Sequence, residues 1–388
     1  MSLQTTTESN SVWRDSVVAL TGAFRVPVRS GHVALLDGWR GLCIILVIAG
    51  HAVPGMGRLG SIGVEFFFVL SGRLMADILI FKRQEIGIFL VRRFARVVPA
   101  LAVYVLVVGL LINLPLLASG LPLRIESPAA ALFFFHNYIP ATAVTGPFEH
   151  TWSLAVEEHG YLLLVLLALI TTRGRRASAA IALALCAAAL AHALWLAAHA
   201  LPGAQPIIWR SDVRVASILL SFAMYVILRS AAERGEPPRI GWLAPAAALL
   251  AIAGIFWIDP DRPEELAVCT ILAALAINTL ETAAPRVKAV VQHPAMLWCG
   301  TLSFSLYLWQ QVCFQLTHFG LVAPAALLLS VGCALWSFHR VEDPARNYLN
   351  ARFGRSHPRI GDHVVPGKKS GRHSEAAESV LGSGSSRR

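Results

Sequence analysis

Apolar runs of about twenty residues recur between residues 33 and 338, each long enough to cross a hydrocarbon core of about 30 Å as a helix. In lipid every backbone amide must be bonded within the chain. Runs of this length satisfy that as α-helices rather than as the short strands of a barrel. The chain therefore reads as an all-α polytopic membrane protein. Ten spans are expected, at about 33–53, 62–81, 98–118, 151–172, 178–198, 213–228, 240–258, 265–283, 296–316 and 321–338. Residues 82–99 are too polar to span and read as an amphipathic interfacial segment. The apolar stretch at 128–140 is too short to cross and reads as re-entrant or interfacial.

Only 14% of residues are charged, against about 25% in soluble domains. The net charge of +10 does not point to nucleic acid, because the surplus lies in short loops and at the termini. If the N-terminus is inside, the loops at 82–98, 173–176, 229–239 and 285–288 face the cytoplasm and hold 13 Lys and Arg. The opposite loops hold 4, Arg58, Arg124, Arg210 and Arg262. This bias places both termini in the cytoplasm. The organisation expected is a mobile cytoplasmic arm at 1–31, a transmembrane domain at 32–348 and a disordered basic tail at 349–388. The first thirty residues lack the apolar core of a cleavable signal peptide. The six cysteines lie in apolar segments with neither metal spacing nor a disulfide framework, so no metal site is expected.

Ionisable residues inside membrane helices are functional candidates, because they are costly there unless they face protein or a cavity. The first span carries Asp37, Arg40 and His51. Eleven helical residues return to within about 20° of the starting direction, so Arg40 and His51 share a face about 16 Å apart, with Asp37 one turn below Arg40. The imidazole is the side chain suited to proton transfer near neutrality. Arg92, Arg93 and Arg96 form a basic cluster within one helical turn, and guanidinium forks bind phosphate. The competing reading is a topology signal that touches lipid headgroups. In the second span Arg73 and Asp77 are spaced to pair, and Ser71-Gly72 allows close helix packing; both read as structural. Ser153, Glu157 and Tyr161 fall on one helix face beside Trp152 and Glu158, and one of the two carboxylates is placed to orient an imidazole.

Neither a G-x-S-x-G elbow nor a G-x-x-x-x-G-K-[ST] loop is present, which removes the usual serine-hydrolase and P-loop readings. Outside enzymes, two readings stand. One is a transporter with Asp37, His51, Glu157 and Arg210 along a proton or sugar pathway; the other is a structural subunit of a polysaccharide export complex.

Seven motifs occur in order: L-D-G-W-R-G with V-I-A-G-H (36–51), G-V-E-F-F-F-V-L-S-G (63–72), R-R-F-A-R-V-V-P (92–99), T-W-S-L-A-V-E-E-H-G-Y (151–161), R-S-D (210–212), S-F-S-L-Y-L-W (303–309) and V-E-D-P-A-R (341–346). In this order and spacing the chain resembles the acyltransferase family 3 membrane proteins, bacterial O-acetyltransferases of surface polysaccharides. The resemblance implies a multi-pass protein of the bacterial inner membrane. It would transfer an acyl group, not an amino-acyl group, from acyl-CoA, most simply acetyl-CoA, to a hydroxyl of an exopolysaccharide, O-antigen or lipid-linked glycan. Its partners would be acyl-CoA, the glycan acceptor and the bilayer.

Carried onto this sequence, the family pattern gives His51, Arg40 and Glu157 as catalytic residues, with Glu157 orienting His51. Arg93 and Arg96, with Arg92, would hold the phosphates of acyl-CoA. Asp37, Glu65, Trp152 and Ser153 would lie beside the substrate, as would Glu158, Arg210 and Asp212. Departures are Gln310 where the family usually has His, Glu65 where Asp is frequent, and His159-Gly160 for Gln-Phe. The esterase-like C-terminal domain of some members is also missing from this sequence, so extracellular relay chemistry is not expected of it alone.

Overall fold

The computed structural model describes residues 32–112, 126–139, 146–199, 206–235, 242–254 and 262–353. The expected arm at 1–31 lies outside them, as does the tail beyond 353. Among the described residues thirteen α-helices follow in order: α1 His32–Ala52, α2 Gly57–Ala76, α3 Ile86–Ile112, α4 Glu126–Leu132, α5 Trp152–Ile170, α6 Arg175–Ala198, α7 Ser211–Glu233, α8 Leu243–Ala253, α9 Pro263–Thr279, α10 Pro285–Val291, α11 Pro294–Gln315, α12 Ala323–Ser337 and α13 Asp343–Phe353. Among the described residues there is no strand. Proline opens α9, α10, α11 and α12, where its missing N–H would be unbonded in any case.

Among the described residues, seven helical segments are long and apolar enough to cross a membrane: α1, α3, α5 with the turn before it, α6, α7, α9 with the turn after it, and α12 continuing into α13. The expected spans at 62–81 and 296–316 form α2 and α11, of 20 and 22 residues. Both carry polar residues inside, Glu65 and Arg73 in α2 and Gln310 and Gln311 in α11, and those four side chains are buried by protein. Of the span expected at 240–258, only α8 and one residue on either side of it are described.

The basic segment at 82–99 is not a separate interfacial element. Residues 86–112 form one helix of 27 residues with Pro99 inside it, and the arginines occupy its early turns. Proline removes a single N–H from the ladder, and the charge of Arg93 is met by carboxylates of α5. The 128–140 stretch gives the short helix α4 and a 3-10 turn, His136–Tyr138.

At the centre of the bundle α1 packs on α11 and on α2, and α2 packs on α7. Glycine makes these approaches possible. A Cβ at Gly300 would lie 1.8 Å from the carbonyl oxygen of Asp37, and one at Gly72 would lie 2.1 Å from that of Ile218. The α1–α11 and α2–α7 seams are therefore backbone-to-backbone contacts. Seated between these helices, the first turns of α3 and α5 meet the functional residues of α1 and α2.

Candidate active site

A cavity of about 330 Å³ opens among α1, α2, α3, α5 and α11. Arg40, Arg92, Arg93 and Arg96 line it, together with Gln84 from the connection before α3. Ser153 and Tyr307 also line it, as do apolar side chains that include Val64, Phe67 and Phe68. Against four arginines the lining holds one carboxylate, Glu157. The field inside is positive and suits an anion.

The arginines play different parts. Arg93 is fixed by two carboxylates: its Nη2 donates to Glu157 and its Nε to Glu158, each at 2.6 Å. Its guanidinium also lies over the Tyr161 ring at 4.3 Å. Glu157 accepts a hydrogen bond from Ser71 as well, and the Tyr161 hydroxyl stands 2.9 Å from Ser71 Oγ and 3.0 Å from Glu157 Oε1. Arg40 is paired with Asp37 at 2.5 Å, one turn away on α1. Arg96 makes no ion pair or hydrogen bond among the described residues, and stands in electrostatic range of Arg40, Arg93 and Glu342.

The expected pairing of Glu157 with His51 does not form. The Glu157 carboxylate is occupied by Arg93, Ser71 and Tyr161. His51 is exposed at the far end of α1 and is oriented by its own helix, its Nδ1–H donating to the Val47 carbonyl at 2.9 Å. That bond leaves Nε2 with a free lone pair.

Glu65, expected beside the substrate, is instead a core group. It is 1% exposed, lies 3.2 Å from Arg214 Nη2, and accepts a hydrogen bond from Thr270 at 2.8 Å. The ion pair ties α2 to α7, and the Thr270 bond ties it to α9. Arg210 and Asp212 pair with each other at 2.7 Å at the start of α7, and His192 Nε2 lies 3.1 Å from Asp212. They do not line the cavity. Trp152 is buried, stacked on Trp209 at 5.5 Å. Asp37 and Glu158 touch the site through the arginines that they hold.

Two features escaped the sequence reading. The Tyr307 hydroxyl lies in the cavity lining, bridged to Ser153 Oγ at 2.5 Å and donating to the His150 carbonyl at 2.8 Å. Tyr307 stands in the quoted S-F-S-L-Y-L-W motif, which was the signal available. The other is the Ser71–Glu157–Tyr161 network. Its α5 half follows from four-residue spacing, but its α2 half depends on which helices are neighbours.

The sequence profile of the acyltransferase domain family matches residues 33–338. The chain is 27% identical to the peptidoglycan O-acetyltransferase OatA of Listeria monocytogenes, over 74% of this chain and 50% of that protein. It is 25% identical to the putative peptidoglycan O-acetyltransferase YrhL of Bacillus subtilis, over 72% of this chain and 48% of that protein. A putative O-acetyltransferase of Staphylococcus aureus is 24% identical over 74% and 51%. The chain thus spans about half the length of the curated relatives it matches. No solved structure matches it. A profile match across most of the chain, over the helices that build the cavity, makes this protein a member of the acyltransferase family 3 of membrane proteins.

Proposed function

We propose that the chain transfers an acyl group, most simply acetyl, from acyl-CoA to a hydroxyl of a carbohydrate. The observation that carries this is the cavity, with four arginines, Ser153 and Tyr307 in its wall. Phosphates of a coenzyme A would be held by Arg96 and Arg92 with Arg40, while Arg93 is the strut that keeps Glu157 and Glu158 in place. The pantetheine arm would follow the apolar wall. At the far end of α1, His51 Nε2 would take the proton of the acceptor hydroxyl, and the released thiolate would regain it. Substrate contacts at Trp152 and Ser153, and acceptor contacts at Arg210 and Asp212, belong to the same reading.

This reading includes ten spans with both termini in the cytoplasm, in the inner membrane of a bacterium. The thirteen Lys and Arg of the assigned inner loops support it. Acceptors of the fitting class are exopolysaccharide, O-antigen and lipid-linked glycans. Relatives named for peptidoglycan add a cell-wall glycan to that class.

The test is the O-acyl ester content of surface glycans, by NMR before and after mild base, in a deletion strain carrying wild type or equally expressed His51→Ala. Esters restored by wild type alone support the reading, and their protons identify the acyl group. Esters restored by both forms remove His51 from the chemistry.

A further inference from the structure

Gln84 lines the cavity, and the reading above gives it no part. Every other lining residue sits on a helix, whereas Gln84 lies in the connection before α3. Lys82, Arg83 and Glu85 around it are exposed, so the cavity reaches the protein surface here. Arg83 has a φ of 48°, a left-handed conformation that a side chain of its size seldom takes. The chain is pinned on both sides of that strain. Lys82 N–H donates to the Asp77 carbonyl at 2.8 Å, Lys82 Nζ pairs with the Asp77 carboxylate at 2.6 Å, and Gln84 N–H donates to the Ile78 carbonyl at 3.0 Å. Strained backbone persists where the surroundings hold it, and it gathers at ligand sites. The main chain of Gln84 is thus fixed, while its half-buried carboxamide has no partner among the described residues. It is the one carboxamide among the described lining residues. The four arginines there can only donate; a carboxamide donates and accepts side by side.

We propose that Gln84 is a specificity residue that reads the adenine of the acyl-CoA donor at the surface end of the cavity. The inference rests on the acyl-CoA reading. At about 330 Å³ the cavity is at the small end for one drug-sized ligand, and a coenzyme thioester is larger than that. The thioester arm therefore enters, and the nucleotide stays at the surface end, where Gln84 is. Arg92 follows about two helical turns later in the chain, so phosphates held by Arg92 and Arg96 leave the base on the Gln84 side. The Hoogsteen edge of adenine presents a donor, the N6 amino group, beside an acceptor, N7. The carboxamide answers both at once: Oε1 accepts from the amino group and Nε2 donates to N7. Ile78 and Phe89, also in the lining, offer apolar surface to the face of the base. A guanine or hypoxanthine edge has an acceptor where adenine has its donor, and Oε1 would then face a second oxygen.

The experiment uses the full chain in nanodiscs, with envelope from the deletion strain as acceptor, and compares wild type with Gln84→Leu. Three radiolabelled donors are offered: acetyl-CoA, its deaminated analogue with hypoxanthine for adenine, and acetyl-pantetheine, which has no base. Wild type should prefer acetyl-CoA over the deaminated donor by about tenfold or more in kcat/KM, the discrimination of one bidentate contact. Gln84→Leu should raise KM for acetyl-CoA about tenfold and bring the two coenzyme donors within about twofold of each other. Its transfer from acetyl-pantetheine should match that of wild type. Equal use of the two coenzyme donors by wild type, or a preference that survives in Gln84→Leu, overturns the role of Gln84 and leaves the wider reading intact. A loss in Gln84→Leu that is as large with acetyl-pantetheine as with acetyl-CoA makes Gln84 a structural residue and also overturns it. No transfer from either coenzyme donor by wild type sinks the acyl-CoA reading, and this inference with it.

Discussion

Arg93 on α3 reaches across to Glu157 on α5, Nη2 to Oε2 at 2.6 Å. The same guanidinium holds Glu158 through Nε, so one cation fixes two adjacent carboxylates and braces the cavity wall. Arg93 is thereby withdrawn from the set available to an incoming anion, although it belongs to the same basic cluster as Arg92 and Arg96.

Removal of Arg93 should therefore act first on stability. Arg93→Met leaves Glu157 and Glu158 side by side and part-buried without a cation, a loss of about 3 kcal/mol or more by the usual result of deleting one partner. Adding Glu157→Gln and Glu158→Gln should restore part of it, because the uncompensated charges go with the cation. Thermal unfolding in detergent for the single and triple variants measures both.

Arg96 should behave in the opposite way. It lines the cavity and forms no ion pair among the described residues. Arg96→Gln is expected to leave the unfolding temperature within about 2 °C and to raise KM for acetyl-CoA about tenfold, roughly the value of one charge-assisted bond. The discriminating substrate is acetyl-pantetheine, which has no nucleotide phosphates. Wild type should prefer acetyl-CoA over it, and Arg96→Gln should lose most of that preference. An unchanged preference would move the phosphates away from Arg96.

How much of this was legible in sequence depends on whether a residue's partner lies on its own helix. The Asp37–Arg40 pair follows from three-residue spacing, and the Ser153–Glu157–Tyr161 face from four. The Arg93–Glu157 pair joins residues 64 apart and Glu65–Thr270 residues 205 apart, which no periodicity reveals. Glu65 illustrates the consequence. From its own helix alone it looks like an intramembrane carboxylate awaiting a substrate; its cation Arg214 is on another helix. The helix through Pro99 was hidden for a different reason, since the charge of Arg92, Arg93 and Arg96 lowers local hydropathy and the counter-charge of Arg93 lies on α5.

The Glu65–Arg214 pair should accordingly be a folding element. Arg214→Met strands the Glu65 carboxylate in a site 1% exposed and should destabilise by about 3–5 kcal/mol, seen as lower yield of monodisperse protein and a lower unfolding temperature. With Glu65→Gln added, most of the loss should return, because the amide can still accept from Thr270. A transport role for the pair would instead leave both variants well folded.

The α1–α11 seam offers a steric test with an internal control. Gly300→Ala would drive a Cβ to 1.8 Å from the Asp37 carbonyl oxygen, and backbone cannot move aside as a side chain would. The helices must part, which displaces Asp37 and with it Arg40. A loss of about 1–3 kcal/mol is expected, the usual size for overpacking. Gly332→Ala on α12, where a Cβ would meet nothing within 4 Å, should instead gain about 0.5–1 kcal/mol from helix propensity. Opposite signs in one unfolding assay would establish the seam as backbone contact.

His136 supplies a pH dependence. It lies in the 3-10 turn between α4 and α5, 1% exposed, with Nδ1 unpartnered among the described residues. Burial pushes its pKa down to about 4. An undocked chain would protonate it near the ordinary value of about 6.5. Between those values the undocked form binds more protons, so the docked form is fully favoured above about pH 6.5 and loses that advantage as pH falls toward 4. The drop corresponds to roughly 3 kcal/mol across the window. Hydrogen exchange of residues 126–139 at pH 7 and pH 5 reads it directly: exchange referenced to an unstructured peptide should accelerate at the lower pH in wild type. In His136→Phe the same segment should show little change, because the buried imidazole is gone. An equal response of both proteins would assign the acid sensitivity to another group.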